Sequence, residues 1–365
     1  MWLLNYYPSL IGAELNLQSE RGLSLGELGK KFSGRSAQIM EEVSVKVLSY
    51  ASLTMYLCGA SSIIQKLLEE YFQCEISVVI IEGCIATFGM ILLIFPLDII
   101  SAVNSLLFSG LIVLFLILLG IMVGFTDYKN MPWIVNPTMK GMLSVCPVIF
   151  ASFGCQLILH TLLDYCGKNA KVLKRSIFIG SLMPTLVYIL WSITSLSAVF
   201  KASPDFFAQT ISGKIGVGEF VKELANISSF VHFQVMVWWM SIFAILTSFI
   251  VVSIGLSESL NLTFRDQFKF KFSRKAFVSL ITIMPAYVIA AVYPDAFIKI
   301  LGFAGAMVVV IGTLVPVYLL FTRGLDRLYY RELKKYPLIL CVIAGIGVML
   351  AKEFCVVIRL PRDGT

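Results

Sequence analysis

Nine apolar runs follow one another along this chain, near residues 44–65, 76–95, 99–123, 141–163, 176–199, 230–258, 276–293, 297–321 and 337–357. An α-helix rises ~1.5 Å per residue, so about twenty residues cross the ~30 Å hydrocarbon core of a bilayer. No other feature restricts the fold as tightly. Hydrocarbon offers the backbone no hydrogen-bond partners, so a spanning chain must satisfy its own amides in helices or in a closed barrel. Runs of this length predict an all-α polytopic membrane protein. Composition agrees, with 58% hydrophobic residues, 14% charged residues and 27 Phe among 365 residues. That balance excludes an ordinary soluble domain.

The first sixteen residues, MWLLNYYPSLIGAELN, are also apolar. At ~1.5 Å per residue they reach roughly 24 Å, short of a full crossing. With no basic segment ahead of them, they do not read as a signal peptide. They read as one partial span before nine full ones. No connection is large enough for a second folded unit, so residues 1–365 are expected to form a single transmembrane domain.

The loops orient the bundle. One set of alternate connections carries Arg21, Lys30, Lys31, Arg35, Lys168, Lys171, Lys174, Arg175, Arg265, Lys269, Lys271, Arg274, Lys275, Arg323, Arg327, Arg331, Lys334 and Lys335. The other set carries only Lys66, Lys129, Lys140, Lys201, Lys214, Lys222 and Lys299. Cytoplasmic loops are the ones enriched in Lys and Arg. The first set is therefore assigned to the cytoplasm, the loop over residues 200–229 and the C-terminus to the outside. The net charge of +7 needs no nucleic-acid partner, because this bias accounts for it.

Among the spans, residues 142–164, MLSVCPVIFASFGCQLILHTLLD, make a poor continuous helix. Pro147 removes a backbone donor and crowds the preceding turn. Ala151, Ser152 and Gly154 follow at once, set between Phe150 and Phe153. Unwound backbone at membrane depth is tolerated where protein buries it or where it lines a cavity. A spanning helix broken there offers freed amides and half-helix ends to a small charged ligand. A proline kink in a packing helix is the alternative reading of the same residues.

Other polar groups lie within the runs. Glu82, about two turns inside its run, is either a functional carboxylate or one paired with a neighbour, and the pairing is preferred. Glu14 is expected to pair with the basic cytoplasmic loop. His160 suits either a proton relay or a structural hydrogen bond. Thr247 and Ser248 would either supply oxygens to a small hard cation or bond back to the preceding turn. Gly120 and Gly124 match a helix-packing motif, and Trp133, Trp238, Trp239 and Tyr293 read as interfacial anchors.

These features exclude several function classes. Two His and eight Cys with no C-x-x-C spacing support neither a zinc site nor a disulfide framework. Titratable groups inside the spans amount to little more than Glu82 and His160, too few for an intramembrane catalytic cluster, so the chain does not read as an enzyme. Repeated filter motifs of a channel are missing, as is a phosphate-cradling G-x-x-x-x-G-K-[ST]. A secondary transporter accounts for many spans, small loops and one broken helix.

The run from Pro147 to Gly154, PVIFASFG, closely resembles the sixth-helix signature of the aromatic amino acid permeases, the tyrosine- and tryptophan-specific transport proteins of bacteria. Phe178-Ile-Gly-Ser181 with Pro184 and Trp191 resembles the next helix. Leu246-Thr-Ser-Phe249, Tyr293-Pro294, Leu301-Gly-Phe-Ala-Gly305 and Pro316 continue the likeness in order, and Tyr50, Tyr56 and Gly59 are similar to the third helix. Glu14 resembles the Glu that closes the second.

The resemblance implies a leucine-transporter-like bundle of the amino acid/polyamine/organocation superfamily, two inverted five-helix repeats plus an eleventh helix. In that frame residues 1–16 are part of helix 2, 44–123 helices 3–5, 141–321 helices 6–10 and 337–357 helix 11. The first helix and the start of the second are then outside this sequence, and a non-transporting remnant or membrane partner subunit is the alternative to an active permease. The implied function is ion-coupled import of tyrosine, or of tryptophan, across the cytoplasmic (inner) membrane. The implied substrate site is Phe150, Ala151, Ser152, Phe153, Gly154 and Tyr56, with Thr247 and Ser248 coupling the ion. No cofactor is implied beyond H⁺ or Na⁺. Leu111 stands where proton-coupled relatives often carry a Lys.

Overall fold

The computed structural model describes residues 2–19, 23–124, 126, 129–130, 149, 152, 159–167, 169–211, 215–227, 231–264, 271–294, 297–323, 328–330 and 333. Regular structure among the described residues is helical throughout. The helices are α1 (Trp2–Leu17), α2 (Leu25–Ser33), α3 (Arg35–Phe72), α4 (Val78–Leu92), α5 (Leu97–Val123), α6 (Leu159–Tyr165) and α7 (Ala170–Ala202). There follow α8 (Pro204–Ile211), α9 (Val217–Asn226), α10 (Val231–Thr263), α11 (Lys271–Val292), α12 (Phe297–Val309) and α13 (Val315–Arg323). A π-turn, Val310–Leu314, joins the last two.

Six helical stretches among the described residues are long and apolar enough to cross a membrane: α3, α5, α7, α10, α11 and the α12–α13 rod. Helix α4 is apolar but shorter, at 15 residues. These seven cover the apolar runs expected as spans, except 141–163 and 337–357, which fall mostly outside the described residues. The outward faces are oily, with Leu106 74% and Leu116 61% exposed on α5. Such a surface requires a hydrocarbon surrounding.

The described residues gather into two compact units. The first comprises residues 1–48, 136–188 and 301–365, the second residues 49–135 and 189–300.

In the first unit α1 packs against α6 and α13, and α13 also meets α2. Its core is built on Ile11, Leu15, Leu28, Leu163, Leu319 and Leu320. Helix α2 is amphipathic and starts on a capping box, in which the Ser24 N–H donates to Glu27 and the Glu27 N–H to the Ser24 hydroxyl. Its buried face holds Gly26, Leu28 and Gly29, with Gly29 set against the Glu41 carboxyl of α3. At the other end Trp2 donates to the Ser181 hydroxyl at 3.0 Å, stacks with Tyr6 and meets Phe178 edge-on. Pro316 lacks the N–H that would continue the ladder, and the π-turn sits just ahead of it, where a widened turn relieves the ring's clash.

Glu14 is bound by one of the basic connections assigned to the cytoplasm, the one that carries Arg327 and Arg331, and the contact is made through its backbone. It is fully buried, and its carboxylate accepts from the Tyr329 N–H (3.0 Å) and the Tyr330 N–H (2.9 Å), with Gln18 as a further donor. Among the described residues, backbone amides rather than basic side chains satisfy it. Such donors are already ordered by the fold, so no long side chain has to be immobilised.

In the second unit α10 runs along α5 and α11, α4 packs on α11, and α9 covers one flank of α10. Two cores result. One surrounds Leu53, Leu57, Phe249, Ile283 and Ala286, the other Leu118, Met122, Phe233, Val237 and Trp238. Lys275 donates to the carbonyls of Ile94 and Phe95, just past the end of α4. A cation there offsets the negative end of a helix dipole.

Two packing expectations are corrected. Trp238 is 2% exposed and belongs to a core, whereas Trp239 and Tyr293 are about half exposed and Trp133 lies outside the described residues. Trp238 falls two turns inside α10, and successive residues point ~100° apart, so of the two tryptophans only Trp239 looks outward. Gly120 has nothing near the place a side chain would occupy, and Gly124 meets only its own helix, so no helix approaches α5 there among the described residues. Close approach is made elsewhere in this unit. A Cβ on Gly218 of α9 would sit 2.5 Å from the Ser62 carbonyl oxygen of α3. Lys222 then pairs with Glu70 at 2.8 Å and anchors the same helix.

Candidate functional site

Of the expected substrate residues, Phe150, Ala151, Phe153 and Gly154 lie outside the described residues. Ser152 is described and belongs to the first unit. It is exposed, in a turn, with its N–H bonded to the Ile149 carbonyl at 3.1 Å. That is an i→i−3 bond, tighter than the i→i−4 bond of an α-helix. Its own carbonyl accepts from the Tyr188 hydroxyl at 3.1 Å. The Ser152–Tyr188 pair lies at the surface, with Tyr188 43% exposed. His160 falls within α6, and its side chain is outside the described ones.

Tyr56 belongs to the second unit. It is half-buried on α3 and packs on the core formed by Leu53, Leu57 and Phe249, as do Ile245 and Leu246 of α10. The next residues of α10, Thr247 and Ser248, are buried and half-buried. Thr247 Oγ1 donates within its own helix, to the Phe243 carbonyl at 2.8 Å with the Ala244 carbonyl at 3.2 Å. Ser248 Oγ donates to the Ala244 carbonyl at 3.1 Å. Each hydroxyl spends its one hydrogen on the helix and keeps lone pairs to offer. Both oxygens are therefore acceptors toward whatever stands beside them, which is the chemistry of a ligand for a small cation.

Further polar contacts in the second unit join residues whose pairing had no signal in the sequence. Tyr50 OH donates to the Ile281 carbonyl at 2.8 Å, and Ser279 Oγ to the Met90 carbonyl at 2.6 Å. These bonds tie α11 to α3 and α4. Glu82 is fully buried on α4, with Ser61 of α3 beside it. The partners are 21 residues apart, in different helices, and no local pattern joins them. In the first unit Thr313, in the π-turn, is buried with an unpartnered hydroxyl. No group of three His, Cys, Asp or Glu able to hold a metal occurs among the described residues.

Comparison with known proteins supplies what geometry leaves open. The chain is 26% identical over 322 residues to "Tyrosine-specific transport system 1" of Haemophilus influenzae, covering 88% of this chain and 78% of the relative. It is 25% identical to the "Tryptophan-specific transport protein" of the same organism, covering 87% and 77%. It is also 21% identical to "Glutamine transporter 2" of Aliivibrio fischeri, again covering 87% and 77%. The sequence model of the tryptophan/tyrosine permease family matches residues 1–351. A match over nearly the whole sequence, on a chain of membrane-spanning helices, means that this protein belongs to the tryptophan/tyrosine permease family and is a multi-pass membrane transport protein rather than an enzyme.

Proposed function

We propose that this chain is an ion-coupled symporter that imports aromatic amino acids, tyrosine first and tryptophan next, across the cytoplasmic membrane. The observation that carries the reading is the family match over residues 1–351. Two of its relatives, both from Haemophilus influenzae, are tyrosine-specific by name. In this reading the whole chain works as one transporter domain of the inverted-repeat type, with its C-terminus outside.

The substrate's carboxylate would meet unwound backbone at residues 150–154, where free N–H groups and a helix dipole favour an anion. The tight turn at Ser152 is in keeping with a helix interrupted there. Its ring would lie in an apolar pocket to which Phe150 and Phe153 contribute. Thr247 and Ser248 would hold the coupling ion when that ion is sodium. Leu111 cannot hold a proton, so coupling to H⁺, which we favour, needs a carboxyl elsewhere.

The test is exchange of labelled tyrosine in proteoliposomes containing the purified chain. Unlabelled tyrosine, tryptophan and phenylalanine are expected to compete, and glutamine is not. Competition by glutamine alone would move the assignment to that substrate. An imposed pH gradient is expected to drive accumulation without sodium.

A further inference from the structure

Glu82 sits on α4 with no exposed surface. Ser61 and Cys58 of α3 are the side chains that reach its carboxyl. Both donors are already engaged. Ser61 Oγ lies 3.0 Å from the Cys58 carbonyl and 3.4 Å from Glu82 Oε1. Cys58 Sγ lies 3.8 Å from the Tyr293 carbonyl. A hydroxyl or a thiol has one hydrogen, and each of these has a backbone carbonyl of its own to give it to.

Ser61 Oγ has one hydrogen for two acceptors, Glu82 Oε1 at 3.4 Å and the nearer Cys58 carbonyl at 3.0 Å, and when the carbonyl takes it the hydroxyl turns a lone pair toward Oε1. Two acceptors face each other unless one of them carries a proton, and the carboxyl is the group that can. Glu82 Oε2 has no hydrogen-bond partner among the described residues. A neutral C=O tolerates that state in an apolar core far better than a charged oxygen does.

No cation among the described residues is recorded beside it. Neither the Lys66–Glu69 pair nor the Lys222–Glu70 pair includes Glu82. On α11, Lys275 is committed to the end of α4, and Tyr287 stands against Gly83, one residue along from Glu82. The α10 side chains recorded against α4 are apolar, Phe249 against Gly89 and Ile250 beside Leu92. On α4 itself, Cys84 is exposed.

We propose that Glu82 is a proton-binding site: in this conformation it holds a proton, hydrogen-bonded to Ser61 Oγ, and releases it when transport opens the α3–α4 contact to water. Its role in coupling rests on the symport reading above. The carboxyl takes one H⁺ from outside and returns one H⁺ to the cytoplasm in each cycle, which supplies the titratable group that Leu111 cannot.

Two readouts separate failure of this site from failure of the symport reading. Infrared spectroscopy of the full chain in lipid at neutral pH is expected to show a protonated-carboxyl C=O stretch that Glu82→Gln removes. Glu82→Asp should shift that band, which assigns it if the Gln variant does not assemble. A band unmoved by either substitution, or no such band, overturns the proposal whether or not the protein transports anything. In proteoliposomes Glu82→Gln is expected to retain tyrosine exchange and to lose accumulation driven by a pH gradient, together with the accompanying proton influx. Retained gradient-driven accumulation in Glu82→Gln overturns the coupling role.

Discussion

Glu14 permits a quantitative test of how the first unit is held together. Its two carboxylate oxygens accept from the Tyr329 and Tyr330 amides at 3.0 and 2.9 Å. Glu14→Ala leaves both donors without an acceptor. A buried donor left unsatisfied costs about 1–3 kcal/mol. The Tyr330 amide is buried, so its loss falls near the upper end. Tyr329 is 60% exposed, so water recovers part of its bond and its loss falls near the lower end. The sum is about 3–4 kcal/mol. Glu14→Gln keeps one acceptor oxygen but turns an NH₂ toward the other amide, for about half that loss. Thermal unfolding in lipid nanodiscs should fall by roughly 5 °C or more for Glu14→Ala. Hydrogen exchange at the Tyr329 and Tyr330 amides should speed up in step. Stability within about 0.5 kcal/mol of the parent, as for an ordinary surface change, with those amides still protected, would refute the reasoning.

Gly218→Ala should destabilise by about 1–3 kcal/mol, the usual cost of overpacking, because its new Cβ meets the Ser62 backbone rather than a movable side chain. Gly120→Ala, which meets open space, should lie within about 0.5 kcal/mol of the parent. Thermal unfolding of the two variants side by side checks both. Gly154→Leu should abolish tyrosine exchange while leaving an assembled protein by size-exclusion chromatography, and unchanged exchange would remove Gly154 from the site. Thr247→Val and Ser248→Ala together should abolish any stimulation of uptake by sodium while sparing a pH-driven component, and intact sodium stimulation would remove both hydroxyls from ion coupling.

Much of the architecture was legible along the chain because membrane helices are selected by a simple balance. A run long enough to cross hydrocarbon, with every amide bonded within the segment, is stable almost regardless of its neighbours. Seven runs accordingly carry helices. The family was legible for a related reason, since a proline- and glycine-bearing motif such as PVIFASFG stands out from uniformly apolar runs. What the sequence could not decide was direction around each helix axis. Trp238 and Trp239 are neighbours with opposite surroundings, and Gly120 fits a packing motif that no helix meets, while Gly218 makes a close contact that no motif announces. The same holds for the carboxyls. Glu14 and Glu82 are both acidic residues in apolar runs, yet one is satisfied by two backbone amides and the other has an oxygen with no hydrogen-bond partner among the described residues. Hydrophobicity and helix period depend on residues close in sequence and can be read from it. A buried carboxyl's partners come from segments tens to hundreds of residues away, and only tertiary packing brings them within hydrogen-bond range.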